Sequence, residues 1–553
     1  MTRRQALIAN LILAIVICAV TLARADSPNV SLQPSNLQQI DPRAAAADEL
    51  EKMARQRFGN LSAAEVKLVR HAPYRELAWS SPSDDPDNPL NNPAHGKSWG
   101  ADRTIRAPII VWLMTNKDAS LQVDPSGVGV AGALIDGSLD LSYHDATLPL
   151  TMLSCAVPAG IEFSFAHLQE LDLRRSWTGT IDGEQAAVRG DLTLRFGKYD
   201  EVDLFRSEIG GTVDLTGAHL TGADPFSAVE AVIHGDLLFH EGFATSGMID
   251  LRLAHVGQSV SFNHAIFTSK GDNGLNAERA MIDGAIYWVA ITTGPRTQLD
   301  LSEAHAGSLW DDAASWPAPG NLNITGFVYG DFSGGPANAE QRLEWLHRQP
   351  VALWSQPQPY RQLAQVLSQD GAEEGAIQVR IAKEDAMTRY AHLKMSDRLW
   401  RFILRITIGY GYRPLRALWW ILLFVMIGAV FFGWGYRARL ITPTEEGAYM
   451  TFVRTGEPPL HYPAFNAFVY SLENFMPVVD LHQGIYWRPN PLHARHDTLE
   501  ALPDGSAAGS PAATKGHEAA ATMLRWYLWI HILAGWTITP LLFAGLAGLL
   551  RND

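Results

Sequence analysis

The sequence predicts a mainly β fold, a right-handed parallel β-helix followed by a helical hairpin and two transmembrane helices. A short pattern recurs through the middle of the chain: Ile or Val, two residues including glycine, then alternating apolar residues. Two long uncharged segments lie near the C-terminus, each with about the 20 residues that are needed to cross a bilayer. At 553 residues the chain is also too long for a single compact core, so several structural regions are expected.

The N-terminus has the plan of a secretory signal. A charged start and an apolar stretch over residues 6–22 precede Ala23-Arg24-Ala25, which has the form of a cleavage site. We therefore predict a signal peptide over residues 1–25, with an uncleaved membrane anchor as the alternative. Either form would place the following domain outside the cytoplasm.

A region of helices and loops is predicted next, over residues 26–100. A helical pattern ends near Phe58, and Ser62 with Glu65 forms a capping box for a second helix. The stretch 80–97 is rich in Pro, Asp and Asn, which is typical of a loop. We expect this loop to lead into the repeat domain.

The repeats predict a β-helix over residues 101–335. From Val188 onward their starts are 21 to 26 residues apart. The recurring glycine marks a corner, where positive φ or a close backbone approach is needed. One repeat then makes one coil, whereas a sandwich of hairpins would favour longer strands. The copies begin at Ile135, Val188, Ile209, Ile233, Val256 and Ile282.

Composition and motifs restrict the function. The net charge of −14 argues against nucleic acid as a partner. Cleavage of the signal would leave Cys155 as the only cysteine, which excludes an intramolecular disulfide. No cofactor or catalytic motif is found, so no cofactor is predicted and an enzyme is disfavoured. Repeat aspartates such as Asp140 and Asp214 are interpreted as turn residues, with catalysis as the alternative.

Helical segments are predicted after the β-helix. Residues 336–396 form a hairpin that would close its C-terminal end, and residues 397–416 form a basic amphipathic helix suited to the membrane interface. Transmembrane helices follow at 417–436 and 523–550, separated by a loop over 437–522. His531 lies within the second of these helices and is a candidate intramembrane functional residue.

A second candidate site lies in the loop between these two helices. Its segment 463–486 carries Tyr470, Glu473, Asp480 and His482. The two carboxylates would face a polar cavity if this segment forms a site. A structural loop at the membrane interface is the alternative.

These segments resemble known bacterial families. The repeats look like the β-helical modules of pentapeptide-repeat-like and bactofilin-like membrane proteins, although a strict five-residue period is not kept. Segment 465–480 resembles the pore helix and filter entrance of two-transmembrane potassium channels. A potassium filter requires glycines, and residues 475–479 contain none. The resemblance therefore implies a degenerate pore domain. Similar chains are sometimes labelled membrane-associated oxidoreductases.

The first functional hypothesis is a scaffold or sensor in the bacterial inner membrane. Its periplasmic β-helix would bind an envelope protein or a polysaccharide, and its helices would contact membrane lipids. A channel-like protein regulated by the β-helix is the second hypothesis, and a glycan-active or redox enzyme is the third. A homo-oligomer formed through the transmembrane helices is a further expectation. The export signal places the 437–522 loop in the cytoplasm, but the basic residues before the first spanning helix favour the opposite orientation.

Overall fold

A parallel β-solenoid occupies the middle of the chain. The structure is a computed structural model that describes residues 41–267, 273–391, 393–490 and 511–549. The solenoid covers residues 128–334 in about nine turns. Helix accounts for 39% of the structure and strand for 21%. Helix therefore outweighs strand in a chain predicted to be mainly β, because most strands of the coil have only two residues between corners.

Four ladders of parallel strands give the coil four sides. Two of the ladders belong to one seventeen-stranded sheet, which the long strand Met281–Trp288 joins because it pairs with both His255–Val256 and Val260–Ser261. An eight-stranded sheet and a nine-stranded sheet form the other two sides. Each strand pairs with its equivalents in the coils before and after it, as a solenoid requires.

The strands have the following bounds. The seventeen-stranded sheet contains Ala78–Trp79, Val128–Ala131, Asp145–Ala146, Leu150–Leu153, His167–Leu168, Leu171–Asp172, Ala187–Val188, Leu192–Thr193, Glu208–Ile209, Val213–Asp214, Val232–Ile233, Leu237–Leu238, His255–Val256, Val260–Ser261, Met281–Trp288, His305–Asp311 and Val328–Gly334. The eight-stranded sheet contains Thr104–Arg106, Leu134–Asp136, Ala156–Val157, Trp177–Thr178, Lys198–Tyr199, His219–Leu220, Ala244–Thr245 and Ile266–Phe267. The nine-stranded sheet contains Leu139–Asp140, Ile161–Glu162, Ile181–Asp182, Val202–Asp203, Phe226–Ser227, Met248–Asp250, Asn273–Asn276, Thr297–Asp300 and Leu322–Asn323.

The repeat glycines lie where successive coils approach most closely. Gly235 donates its backbone N–H to the carbonyl of Gly211, which in turn donates to Gly190, each at 3.0 Å. A Cβ atom on Gly235 would lie 2.6 Å from the carbonyl carbon of Gly211. Of the two predicted roles for these glycines, close backbone approach is therefore the one that applies at this corner.

Positive φ falls mainly on other residue types. Within the coil, non-glycine residues adopt the left-handed conformation with φ between 50° and 61°. They lie in the turns that follow two of the four sides. Their backbone is held by hydrogen bonds to the next coil, such as that from the N–H of Phe196 to the carbonyl of Thr216. These residues are Tyr143, Ser154, Phe165, Arg175, Gln185, Phe196, Arg206, Glu230, Glu241, Leu253, His264, Arg279, Ala290 and Glu303.

Repeat aspartates hold the turns, as the sequence predicts. Asp140 Oδ1 accepts the backbone N–H of Ser142 at 2.9 Å, and Asp214 Oδ1 accepts that of Thr216 at 2.9 Å. Asp250 makes the same contact with Arg252 at 3.1 Å. This turn chemistry satisfies backbone groups that the short strands leave without a partner.

Helices close the N-terminal end of the coil. They are α1 (Pro42–Phe58), α2 (Ala63–His71), α3 (Ala107–Thr115) and α4 (Lys117–Ser120). The capping box of α2 is present, and Glu65 also forms an ion pair with Arg106 at 2.7 Å. The apolar side chains of α3 are buried in the same core as the coil interior. The strand Ala78–Trp79 pairs with the coil at Val130 and Ala131 and extends this ladder towards the N-terminus.

Three helices cover the other end of the coil. They are α5 (Ala339–Leu346), α6 (Pro357–Gln369) and α7 (Glu373–Tyr390). On α6, Gln358 Nε2 donates to the carbonyl of Phe327 at 2.9 Å, and Gln362 Nε2 donates to that of Tyr329 at 2.6 Å. The side-chain amides donate to carbonyls of the last coil that would otherwise lack a neighbouring strand. The helices therefore cover an open sheet edge.

The C-terminal part is helical. Its helices are α8 (Met395–Ile408), α9 (Arg416–Arg437), α10 (Glu446–Thr455), α11 (Ala467–Phe475), α12 (Gln483–Tyr486) and α13 (Pro511–Leu546), with an antiparallel strand pair, Ile441–Pro443 and Trp487–Pro489. Helix α9 and the section Glu518–Leu546 of α13 are long and apolar enough to cross a membrane.

Candidate functional site

Helix α11 lies between the two long apolar helices. It contacts both α9 and α13. Asn466 begins it by accepting the backbone N–H groups of Phe468 and Val469 at 3.0 and 3.1 Å. This helix contains two of the predicted site residues, Tyr470 and Glu473, and therefore brings part of the interhelical loop into the helix bundle.

His531 is buried at the contact of the three helices. Its Nε2 lies 3.0 Å from the carbonyl oxygen of Ser471 and 3.2 Å from Ser471 Oγ. The Ser471 hydroxyl donates to the carbonyl of Val425 on α9 at 2.8 Å. Because a carbonyl can only accept, this geometry assigns the hydrogen to Nε2. His531 Nδ1 is then a buried acceptor without a protein partner in the described part of the chain.

Glycines allow this close approach. A Cβ atom on Gly428 of α9 would lie 2.2 Å from Ser471 Oγ and 2.7 Å from His531 Cε1. On α13, a Cβ atom on Gly535 would lie 1.7 Å from the carbonyl oxygen of Phe475. Small residues at such positions let apolar helices pack backbone to backbone, which is typical of helices in membranes.

The four predicted loop residues have different environments. Tyr470 is buried beside Phe432, with ring centroids 5.0 Å apart. Glu473 accepts the backbone N–H groups of Gln483 and Gly484 at 2.7 and 3.1 Å. Its carboxylate thus caps the N-terminus of helix α12. Asp480 and His482 are exposed and form a local contact at 3.6 Å. Of the two predicted carboxylates, Glu473 therefore binds backbone donors, whereas Asp480 is exposed.

Ser471 and Gly428 were not singled out from the sequence. One residue is a serine in an apolar helix and the other is a glycine in a second helix. No sequence pattern indicates that the two are in contact. The sequence itself points to His531, because an ionisable residue is costly in a helix that is apolar enough to cross a membrane. Its partners follow only from the packing of α11.

The tryptophans of the repeat domain belong mainly to its core. Trp288 and Trp316 are buried, and Trp316 Nε1 donates to Asp311 at 2.7 Å. Trp310 is partly exposed and packs against Tyr287. Of these three tryptophans, Trp310 alone has a ring that a ligand could reach. Among the described residues, no group of His, Cys, Asp or Glu has a metal-binding arrangement.

A groove on the coil surface is a different candidate. The segment 86–94 lies beside the coil and encloses a cavity of about 860 Å³ against it. The coil wall includes Arg175, Trp177, Lys198 and His219. The sequence does not indicate this groove, because its walls come from segments 60 or more residues apart that meet only through the coil.

The chain matches no family model, no curated protein and no solved structure. Its class therefore follows from its own fold. The chain is a parallel β-solenoid joined to helices, two of which could span a membrane.

Proposed function

We propose that this protein is a scaffold or sensor of the bacterial inner membrane, with the β-solenoid in the periplasm. The solenoid would bind an envelope protein or polymer, and the helices α9 and α13 would anchor it among membrane lipids. One observation carries the proposal: a closed, end-capped solenoid continues into helices whose outer surfaces are apolar. Contiguous exposed apolar surface marks an interaction site with lipid or protein.

The exposed apolar side chains concentrate on the C-terminal helices. The helix α8 exposes Leu399, Trp400 and Phe402, which supports a position at the membrane interface. Large side chains also project from α9 and α13. They include Leu418, Trp419, Leu422, Leu423, Met426 and Val430 on α9, and Trp526, Trp529, Ile530, Leu533, Trp536 and Phe543 on α13.

Ion pairs connect the solenoid cap to the membrane-facing helices. On α7, Glu384 pairs with Arg401 at 2.7 Å and Asp385 with Arg405 at 2.9 Å. The hydroxyl of Tyr410 donates to Asp385 at 2.9 Å, and burial raises the pKa of Tyr410 to about 12. Such a joint supports a sensor, because a change at the solenoid could reach α8 through these contacts.

We also propose that the solenoid is related to the β-helical modules of bacterial membrane proteins. The coil of short parallel strands supports the likeness to pentapeptide-repeat-like and bactofilin-like modules. The coil is proposed to be right-handed. The chain is further proposed to form a homo-oligomer through α9 and α13.

Sided cysteine labelling tests the proposed topology. Cys155 is buried, so replacing Cys18 with Ser leaves a background that is inert in the folded chain. Two exposed positions, Asp118→Cys beside the coil and Gly447→Cys on α10, then report on each side. In intact cells, a membrane-impermeant maleimide should label position 118 and not position 447. Labelling at 447 without labelling at 118 would overturn the proposal.

The channel-like function is the second candidate, and the position of α11 favours it. A short helix that enters between two long apolar helices is the arrangement of a pore helix. Labelling at position 447 from outside would support this candidate. It predicts ion flux in liposomes containing the purified protein, reduced by Asp480→Ala. Absence of flux in the same preparation would contradict it.

A further inference from the structure

The groove beside segment 86–94 has a fixed wall. Asn91 is buried, and its side-chain amide donates to the carbonyls of Ser83 and Asp85 at 3.0 and 2.7 Å. Arg103 is buried beneath it and donates to the carbonyls of Leu90 and Gly132 at 2.9 Å. A wall held by buried hydrogen bonds keeps its shape when the groove is empty, which lowers the cost of binding.

Three side chains follow one another along the opposite wall. Trp177 pairs with Lys198 across one coil, and Lys198 pairs with His219 across the next. Neighbouring strands in a ladder lie about 4.8 Å apart, so these side chains form a row with that spacing. Lys198 and His219 are exposed, and within the described part of the chain neither forms an ion pair. The row therefore offers regularly spaced donors to a ligand that runs along the coil axis.

Aromatic rings lie among these cations. The ammonium of Lys97 is 5.2 Å from the centre of the Trp177 ring. Phe196 is 48% exposed, and the guanidinium of Arg195 lies 5.4 Å from its ring. A flat apolar face beside a cation suits a ligand that is itself apolar on one face and negatively charged at its edge.

The charge of the groove is opposite to that of the whole chain. The chain carries a net charge of −14, yet the groove is lined by two cations, Arg175 and Lys198, and by one anion, Asp87. Asp87 pairs with Arg175, so these two charges offset each other, whereas Asp200 accepts the hydroxyl of Thr221 at 3.0 Å and keeps its charge. The cations left for an acidic ligand are Lys198 on the coil wall and Lys97 beside the Trp177 ring.

We propose that this groove binds an acidic polysaccharide, with the sugar rings on Trp177 and Phe196 and the carboxylates on Lys198 and His219. This assignment rests on the proposed function and names its polymer class. A peptide strand is disfavoured because the coil backbone here is already paired on both sides. Nucleic acid is disfavoured because the cationic row is short.

Binding of labelled polygalacturonate oligosaccharides to the detergent-solubilised full chain tests the proposal. The fully methyl-esterified oligosaccharide serves as the uncharged probe, and it should bind at least about tenfold more weakly. Lys198→Gln combined with His219→Gln should weaken binding of the acidic probe by about tenfold or more. Phe196→Ser should weaken binding of both probes, because it removes an apolar face and no charge. Lys117→Gln, an exposed lysine on α4 outside the groove, is the matched control and should leave affinity unchanged.

Three results would overturn the assignment. They are equal affinity for the acidic and esterified probes, unchanged affinity in the Lys198 and His219 variant, and equally strong binding of single-stranded DNA. Unchanged thermal unfolding of each variant excludes a folding defect as the cause of weaker binding. Failure of the proposed function is distinguishable, since labelling that places the coil in the cytoplasm would leave binding by the purified protein intact.

Discussion

One fully buried ion pair ties the last coils to their helical cap. Arg342 on α5 donates through both terminal nitrogens to Asp311 at 2.7 and 2.8 Å, and both side chains are at most 2% exposed. Removing one partner of such a pair leaves a buried charge without compensation. The pair therefore fixes which helix face covers the end of the coil.

Arg342→Ala should lower the free energy of unfolding by about 3–5 kcal/mol. Thermal unfolding of the solubilised chain, followed by circular dichroism, measures this. Arg279→Ala is the matched control, because Arg279 and Glu303 are both more than half exposed, and its cost should stay within about 1 kcal/mol. An equal decrease in the free energy of unfolding in the two variants would show that the buried Arg342 pair contributes no more to stability than an exposed one.

Cys155 should be unreactive in the folded protein. Burial raises the pKa of its thiol from 9.0 to about 12, so almost no thiolate is present near neutral pH. Maleimide labelling of the Cys18→Ser chain should be negligible in buffer and complete in denaturant. Because the folded state holds this proton more tightly, the thiol's contribution to stability is full below pH 9 and is lost as pH rises towards 12. Cys155→Ala should remove that part of the alkaline destabilisation.

At the scale of elements, small residues decide how α9, α11 and α13 meet. A Cβ atom on Gly428 would strike Ser471 and His531, whereas a Cβ atom on Gly433 of the same helix has its nearest neighbour, Ala467 Cβ, at 3.5 Å. The two glycines thus differ in environment and share a helix. This contrast gives a direct test of the three-helix contact.

Gly428→Ala should destabilise the helix bundle by about 1–3 kcal/mol, because the added methyl group forces the helices apart. Gly433→Ala should be tolerated, since its methyl group meets an ordinary contact distance. The melting temperature in detergent compares the two variants. A melting temperature for Gly428→Ala equal to that for Gly433→Ala would contradict the packing of α11 against α9.

The strands and glycine corners of the coil could be predicted from the sequence, whereas its left-handed turns could not. The repeat pattern predicted short strands and glycine corners, and both occur. The left-handed turns at residues such as Arg175 and Phe196 were not foreseen, because no single residue type marks them. Contacts with the next coil impose that conformation and outweigh the local preference for negative φ.

At the scale of the molecule, one core joins the N-terminal helices, the coil and its cap. It extends from Leu50 to Ala386, and the C-terminal helices have two separate clusters of their own. The solenoid with its caps therefore has the interior of an independent domain.

A fragment covering residues 41–391 should be soluble and monomeric without detergent, because its apolar side chains already share one core. Size-exclusion chromatography and a single cooperative thermal transition would confirm this. The chain from residue 41 to 490, which adds α8 to α12 and so includes the long apolar helix α9, is the matched comparison and should require detergent. Aggregation of the shorter fragment would show that the solenoid depends on the helices for stability.

The sequence alone determined the solenoid, the two long apolar helices and the turn role of the aspartates, because periodicity and length are local properties. It also marked His531, since an ionisable group in an apolar helix stands out by itself. Only the tertiary structure decided that Ser471 meets His531, that Glu473 caps α12, and that Trp177, Lys198 and His219 form one row. These relations join residues that are close in space and distant in the chain, so they depend on how coils stack and how helices pack.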